Sequence, residues 1–257
     1  MPSYRYAEGK AESLPELLRE LIRLKASIII PSGPTVLEPA VKATQTIPIL
    51  MHESGNAVRH GLIETFARPG RNVTGVSTYV PGLYAKQLEL LKETIPSAGR
   101  IAVIIPRRNS SIGEYREAAH SLEMEVQSHD YFDSKGLKAV LLRLASTRPD
   151  AVAVVRHTST IQYAQHITEF ALKNRLPSIF DSQQFVQSGG LMSYGVNRGA
   201  VWRRLAVYID KLLKGASPAT LPVEPAPLEF AVNLKTARTI GVMIPPEILL
   251  EANNVVR

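Results

Sequence analysis

The sequence predicts an α/β protein of two doubly wound parallel-sheet lobes joined by a hinge. Three observations carry that expectation. Short β-rich apolar runs alternate with amphipathic stretches along the chain. The length of 257 residues exceeds one ordinary domain. Pro81-Gly82 and Gly189-Gly190 punctuate the chain near two places where it can cross between lobes. Strands this apolar, alternating with helices, belong to parallel sheets covered on both faces. Lobe one is expected to hold residues 1–78 plus 195–225, and lobe two residues 79–194 plus 226–257.

Each element follows from its local pattern. Ser13 and Glu16 read as a capping box, and Leu14, Leu17, Leu18, Leu21 and Ile22 share the face of the helix it opens. Residues 27–30 read as a short buried strand. Ser32-Gly33-Pro34-Thr35 reads as a turn, with a helix following to Thr44. Residues 47–51 and 73–77 read as strands, and 59–66 as a helix. The alternation then repeats. Helices are expected over 84–94, 114–123, 136–146, 161–174 and 202–214, the last closed by Gly215. Strands are expected over 101–105, 125–131, 151–155, 178–180 and 191–194.

Bulk properties narrow the function classes. Hydrophobic residues make up 45% and charged residues 21%, which fits a globular chain with a substantial core. No apolar run approaches the roughly 18 residues that a bilayer span needs. Met1 precedes Pro-Ser-Tyr-Arg-Tyr, which is no signal-peptide core. The absence of cysteine removes disulfides, thiolate metal sites and a cysteine nucleophile. The net charge of +7 is spread along the chain: Arg107-Arg108 and Arg203-Arg204 are pairs, and no basic run reaches five residues. That distribution speaks for a solvated basic surface and against nucleic-acid binding.

Catalytic signatures are missing. The chain has no phosphate-binding loop, no G-x-G-x-x-G after an early strand and no G-x-S-x-G elbow. His52-Glu53 starts like a zinc-protease helix, but Asn56 stands where the second histidine would be. The six histidines show no ligand spacing, so no metal, no cofactor and no catalytic residue is expected.

Other segments carry a resemblance. They include Ile47-Pro48-Ile49, Gly61-Leu62, and Ala67-Arg68-Pro69-Gly70-Arg71-Asn72-Val73-Thr74-Gly75-Val76-Ser77. Lys86-Gln87-Leu88-Glu89-Leu90-Leu91-Lys92-Glu93, Gly189-Gly190-Leu191-Met192-Ser193-Tyr194-Gly195 and Tyr208-Ile209-Asp210-Lys211-Leu212-Leu213-Lys214-Gly215 follow. Leu221-Pro222-Val223-Glu224, Asn233-Leu234-Lys235-Thr236-Ala237 and Ile244-Pro245-Pro246 complete the series. In order and spacing these resemble ABC transporter substrate-binding proteins of the tryptophan/tyrosine-uptake type. The resemblance implies a type I periplasmic binding protein fold, capture of a small solute (an amino acid, aromatic favoured), and delivery to a membrane permease. It implies the periplasm; a chain that truly starts at Met1 is expected in the cytoplasm. Family members carry a first strand before the stretch matching Tyr4 to Lys25, so the first strand of lobe one is expected to be missing. An exposed inner edge in lobe one would favour a homodimer.

Candidate ligand residues follow from the strand-end rule for open α/β sheets. Ser32, Gly33 and Thr35, and Asn109, Ser110 and Ser111 in lobe two, precede helices and suit a solute carboxylate; the same residues suit ordinary helix caps. Asp181 suits a ligand amine or caps the helix starting at Gln183. Ser54 and Asn56 suit hydrogen bonds to solute. Tyr79 and Tyr194 suit stacking on it or packing at the hinge. Asn72 and Thr74 are expected to steady the turn into their strand, and His157 to face solvent. Competing classes are the sensing core of a sugar-repressor-like regulator, which lacks its helix-turn-helix here, a non-transport paralogue, and an α/β enzyme with an unrecognised site.

Overall fold

A computed structural model describes the whole chain except Met1, Gly9, Pro34, Glu53, Ser54, Gly55, Arg108 and Ser110, and the side chains of Ser134 and Thr158. In chain order the elements are α1 (Leu14–Arg23), α2 (Leu37–Ala43), β1 (Ile49–Met51), β2 (Val73–Ser77), α3 (Leu83–Thr94), β3 (Arg100–Pro106) and α4 (Ser111–Ser121). Then come β4 (Glu125–Tyr131), α5 (Ser134–Thr147), β5 (Ala151–Val154), α6 (Thr158–Gln162), α7 (Ala164–Lys173), β6 (Ser178–Phe180) and α8 (Gln183–Gln187). The last are β7 (Met192–Val196), α9 (Arg198–Leu213), β8 (Glu224–Pro225), β9 (Leu228–Asn233), α10 (Leu234–Ile240), α11 (Pro246–Glu251) and β10 (Asn254–Val256). Two compact units result, residues 1–80 with 198–227 and residues 81–197 with 228–257. Among the described residues no helix is long and apolar enough to cross a membrane.

The first unit has a parallel sheet in the order β1-β2-β8. Its core gathers Leu18, Ile29, Leu37, Ile49, Met51, Val73 and Val223. The Asn72 amide donates to the carbonyls of Thr44 and Ile47, at 3.0 and 2.8 Å, which ties the α2–β1 connection to the start of β2. Thr74 donates to the Leu221 carbonyl at 2.7 Å. Gly75 sits at φ +135°, where a Cβ would meet the Met51 carbonyl oxygen at 2.2 Å, so glycine is required for β1 and β2 to approach. Pro225 is tolerated because β8 pairs on one side only, with β2.

Three expectations fail in this unit. Ser13 does not cap α1: a 3-10 turn over Ala11–Ser13 delivers it in helical conformation, and its hydroxyl turns back to the Lys10 carbonyl. Residues 27–30 make one parallel bridge, Ile29 with Ile49, and no full strand. Residues 59–66 are not a helix. One turn forms and is closed by Gly61 at φ +65°, with Gly61 N–H donating to Val58 and Leu62 N–H to Ala57.

The second unit is built on a seven-stranded sheet in the order β10-β9-β7-β6-β5-β3-β4. Successive side chains point to opposite sides, and those of the central strands β3, β5 and β6 are buried on both faces. Ile101, Val103 and Ile105 of β3 join a core with Leu88 and Leu91 of α3, Tyr115 of α4 and Ile240 of α10. Ala102 and Ile104 join the other core, with Leu137, Val140 and Leu144 of α5 and Ile167 of α7. Each fully buried aliphatic side chain contributes about 1.5–3 kcal/mol. The all-parallel expectation is corrected at β9, which runs antiparallel to β7. The chain leaves β7 at its carboxyl end, builds α9 and β8, and re-enters at that same end, so β9 must run back. The helix expected over 161–174 is two, α6 and α7, broken at Tyr163; nothing in the sequence marks that break. Gly215 at φ +91° closes α9 as expected.

His129 on β4 is a buried histidine whose Nε2 has no hydrogen-bond partner among the described residues. Burial, then the nearby Arg143 charge, push its pKa below the ordinary value, with Asp130 opposing. The fold therefore prefers the neutral ring. This contribution to stability is present above the unfolded pKa of about 6.5 and is lost as pH falls toward the lower folded value. Chemical denaturation at pH 7 and pH 5 is expected to show a smaller loss on acidification for His129→Gln than for the wild type.

Candidate functional site

The carboxyl ends of the second unit's strands carry a cluster of hydroxyls around one carboxylate. Asp181 follows β6 directly and is half-buried. Its carboxylate raises the pKa of three phenols, Tyr84 on α3, Tyr115 on α4 and Tyr131 at the end of β4. For each of them burial is the larger cause. All three therefore stay neutral, and Tyr115 gives its proton to Gln87 Oε1. Ser111, the first residue of α4, donates to Tyr84 Oη at 3.0 Å. Ser159 donates to Tyr131 Oη at 3.0 Å. The Tyr84 and Tyr115 rings lie 4.6 Å apart at 34°.

Tertiary packing brings these groups together. Gly195 in β7 sits so close to the chain after β6 that a Cβ would lie 2.1 Å from the Asp181 carbonyl oxygen. The third-strand loop is shaped by Asn109, whose Oδ1 accepts from the Ser111 N–H at 2.9 Å. His157 is exposed and caps α6, with Nδ1 2.8 Å from Ser159 Oγ.

The other sequence candidates are placed as follows. Tyr194 packs edge-on against Phe230, at 6.3 Å and 68°, beside the core. In the first unit, Ser32 and Thr35 are exposed and neither caps α2, whose N-cap is Val36. That helix has seven residues and Glu38 in its first turn, a charge that opposes an anion there. Asn56 Oδ1 accepts from the Arg59 N–H at 3.0 Å and closes a turn. The Tyr79 N–H donates to Ser77 Oγ at 3.3 Å. Gly33 sits at φ +109°. Ser54 and Ser110 lie outside the described residues.

Sequence reasoning missed Tyr84, Tyr115, Tyr131 and Ser159. Aromatic residues at helical or strand spacing read as core, and only the fold brings the three phenols within electrostatic reach of Asp181. It also missed a pair in the first unit: His52, buried at the end of β1, lies 4.5 Å from the ring of Trp202, the chain's single tryptophan. A separate hollow of about 330 Å³ in the second unit is lined by Gln183, Asn197, Glu229 and Asn253 among others. It shares no side chain with the tyrosine cluster, so the hydroxyl chemistry lies elsewhere.

This architecture is that of the type I periplasmic binding proteins. An ABC domain from Streptococcus pneumonia, solved in complex with L-Trp, superposes with a TM-score of 0.84 at 21% identity, over 99% of this chain and 87% of that one. The ligand-free, open structure of a substrate binding protein with adhesive properties from Clostridium difficile gives a TM-score of 0.71 at 22% identity, over 99% and 86%. Residues 2–256 match the family model described as ABC transporter substrate binding protein, and the chain belongs to that family. A curated relative, the tyrosine-binding protein of Clostridioides difficile strain R20291, is 23% identical over 233 residues, which are 86% of this chain. The match covers 64% of that relative's length.

The Gly195 contact yields a direct check. Gly195→Ala forces a methyl against the Asp181 backbone, and is expected to cost about 1–3 kcal/mol of stability in denaturant titration. An unchanged midpoint would contradict the close approach.

Proposed function

We propose that this chain captures an amino acid, with an aromatic side chain favoured, and presents it to an ABC permease at the membrane. The observation that carries the reading is the set of neutral phenols and hydroxyls gathered around Asp181. The Asp181 carboxylate, with phenol oxygens that can accept beside it, suits an ammonium group, because charge-assisted hydrogen bonds are the strong ones. Ser111 and the first turn of α4, an 11-residue helix, suit the solute carboxylate. The Tyr84 ring, backed by the buried Tyr115 ring, offers an aromatic wall to the side chain. The tyrosine-binding relative and the L-Trp complex support the same substrate class. Such a role places the protein outside the inner membrane, in the periplasm or at the cell surface. It needs no catalytic residue and no cofactor.

A thermal-shift screen of amino acids tests this. A ligand that binds only the folded protein at about 100 times its Kd adds about 2.7 kcal/mol of stability. L-Tyrosine or L-tryptophan is expected to raise Tm, and Asp181→Asn to weaken binding at least about tenfold, or about 1.4 kcal/mol. A flat response to every amino acid removes the reading.

Pairing of two copies through the first unit belongs to the same proposal. Ile29 directs its N–H and C=O to β1, through Pro48 and Leu50. The N–H and C=O groups of Ile28 and Ile30 have no hydrogen-bond partner among the described residues. Two such edges run antiparallel about Ile29 would satisfy each other, Ile28 with Ile30 of the second copy. Light scattering is expected to give a dimer for the wild type and a monomer for Ile28→Pro, which deletes one edge donor. A monomeric wild type at high concentration contradicts the pairing.

A further inference from the structure

Gln87 on α3 is a polar residue with no exposed surface, and both ends of its amide are engaged. Its Nε2 donates to the Tyr194 carbonyl at 2.8 Å. Its Oε1 accepts from the Tyr115 hydroxyl at 2.5 Å. The Tyr194 carbonyl lies just past the point where β6 stops pairing with β7, at Phe180 and Ser193. Gln87 thus supplies a donor where the neighbouring strand has run out. A buried amide satisfied at both ends is rigid, since breaking either bond strands a polar group in the core.

The consequence lies at the other end of the relay. Tyr115 is fully buried, and its ring leans on Tyr84. Tyr84 in turn accepts from Ser111 at the first turn of α4. Three elements, β7, α3 and α4, are therefore locked in register by one side chain. We infer that Gln87 is a positioning residue for the solute site: it clamps Tyr115 to β7 and so sets the angle at which Tyr84 and Ser111 face solute. This rests on the reading that Tyr84, Ser111 and Asp181 contact the amino acid. Gln87 itself touches none of it.

The test uses the full chain and calorimetric titration with L-tyrosine and L-tryptophan. Gln87→Leu and Tyr115→Phe are each expected to weaken binding about three- to tenfold, the size of one internal hydrogen bond. The double variant is expected to lose no more than the weaker-binding single, because both changes break the same bond. Gln87→Glu is the conservative rescue. Its neutral carboxyl can donate to the Tyr194 carbonyl and accept from Tyr115. Its affinity is expected near wild type at pH 5 and to fall toward pH 8 as the carboxyl ionises. Wild-type affinity should stay level over that range. Leu90→Ala, buried on the same helix, should lower Tm while leaving Kd within about twofold.

Unchanged affinity in folded Gln87→Leu and Tyr115→Phe, with wild-type binding intact, overturns the positioning role alone. An equal loss in Leu90→Ala also overturns it, since general loosening would then explain the effect. Failure of the wild type to bind either amino acid removes the solute reading and this inference together.

Discussion

The seven-stranded sheet of the second unit consumes its own side chains. Every interior strand is covered on two faces, so alternate residues of β3 and β5 go to one apolar core and the rest to the other. Polar chemistry placed there would carry the cost of an unpaired buried group. It is therefore confined to the strand ends, where the chain turns out of the sheet and backbone and side-chain donors meet solvent. Asp181, Ser111, Tyr131 and Ser159 all stand at such ends. The tyrosines on α3 and α4 reach the same place because those helices cover one face of the sheet.

That arrangement explains the character of the cluster. Burial keeps the three phenols neutral, and the neighbouring carboxylate pushes in the same direction. Neutral phenols beside an acid give a strand-end cluster of hydroxyls with one strong acceptor, and Tyr115 is its buried backing. The relay through Gln87 adds rigidity, so the ring pair keeps its angle in the absence of solute. Preorganisation of this kind lowers the ordering cost of binding.

The fold was readable in the sequence wherever a strand is a short apolar run between turn residues. The bounds expected for β2, β4 and β6 match those observed. Failures arose where local pattern and tertiary context disagree. Residues 59–66 carry helical periodicity, yet Gly61 takes a left-handed conformation and stops the first turn. The antiparallel β9 follows from the excursion through α9 and β8, which no local window reveals. Ser13 has the right spacing to Glu16, but a 3-10 turn consumes its capping geometry. At the candidate site, Asp181 and Ser111 were visible because they directly follow strands or open helices. Tyr84 and Tyr115 were not. Their spacing says core, and their rings are indeed packed; only the three-dimensional path of α3 and α4 shows that the hydroxyls converge.

The central claim is that the hydroxyl cluster around Asp181 holds the amino acid. Tyrosine ring resonances in protein labelled with 13C-tyrosine report on it site by site. Titration with L-tryptophan is predicted to shift the Tyr84, Tyr115 and Tyr131 signals together, saturating at one equivalent, with Tyr4 and Tyr6 unmoved. Saturable binding that leaves those three signals in place would put the solute elsewhere and contradict the account.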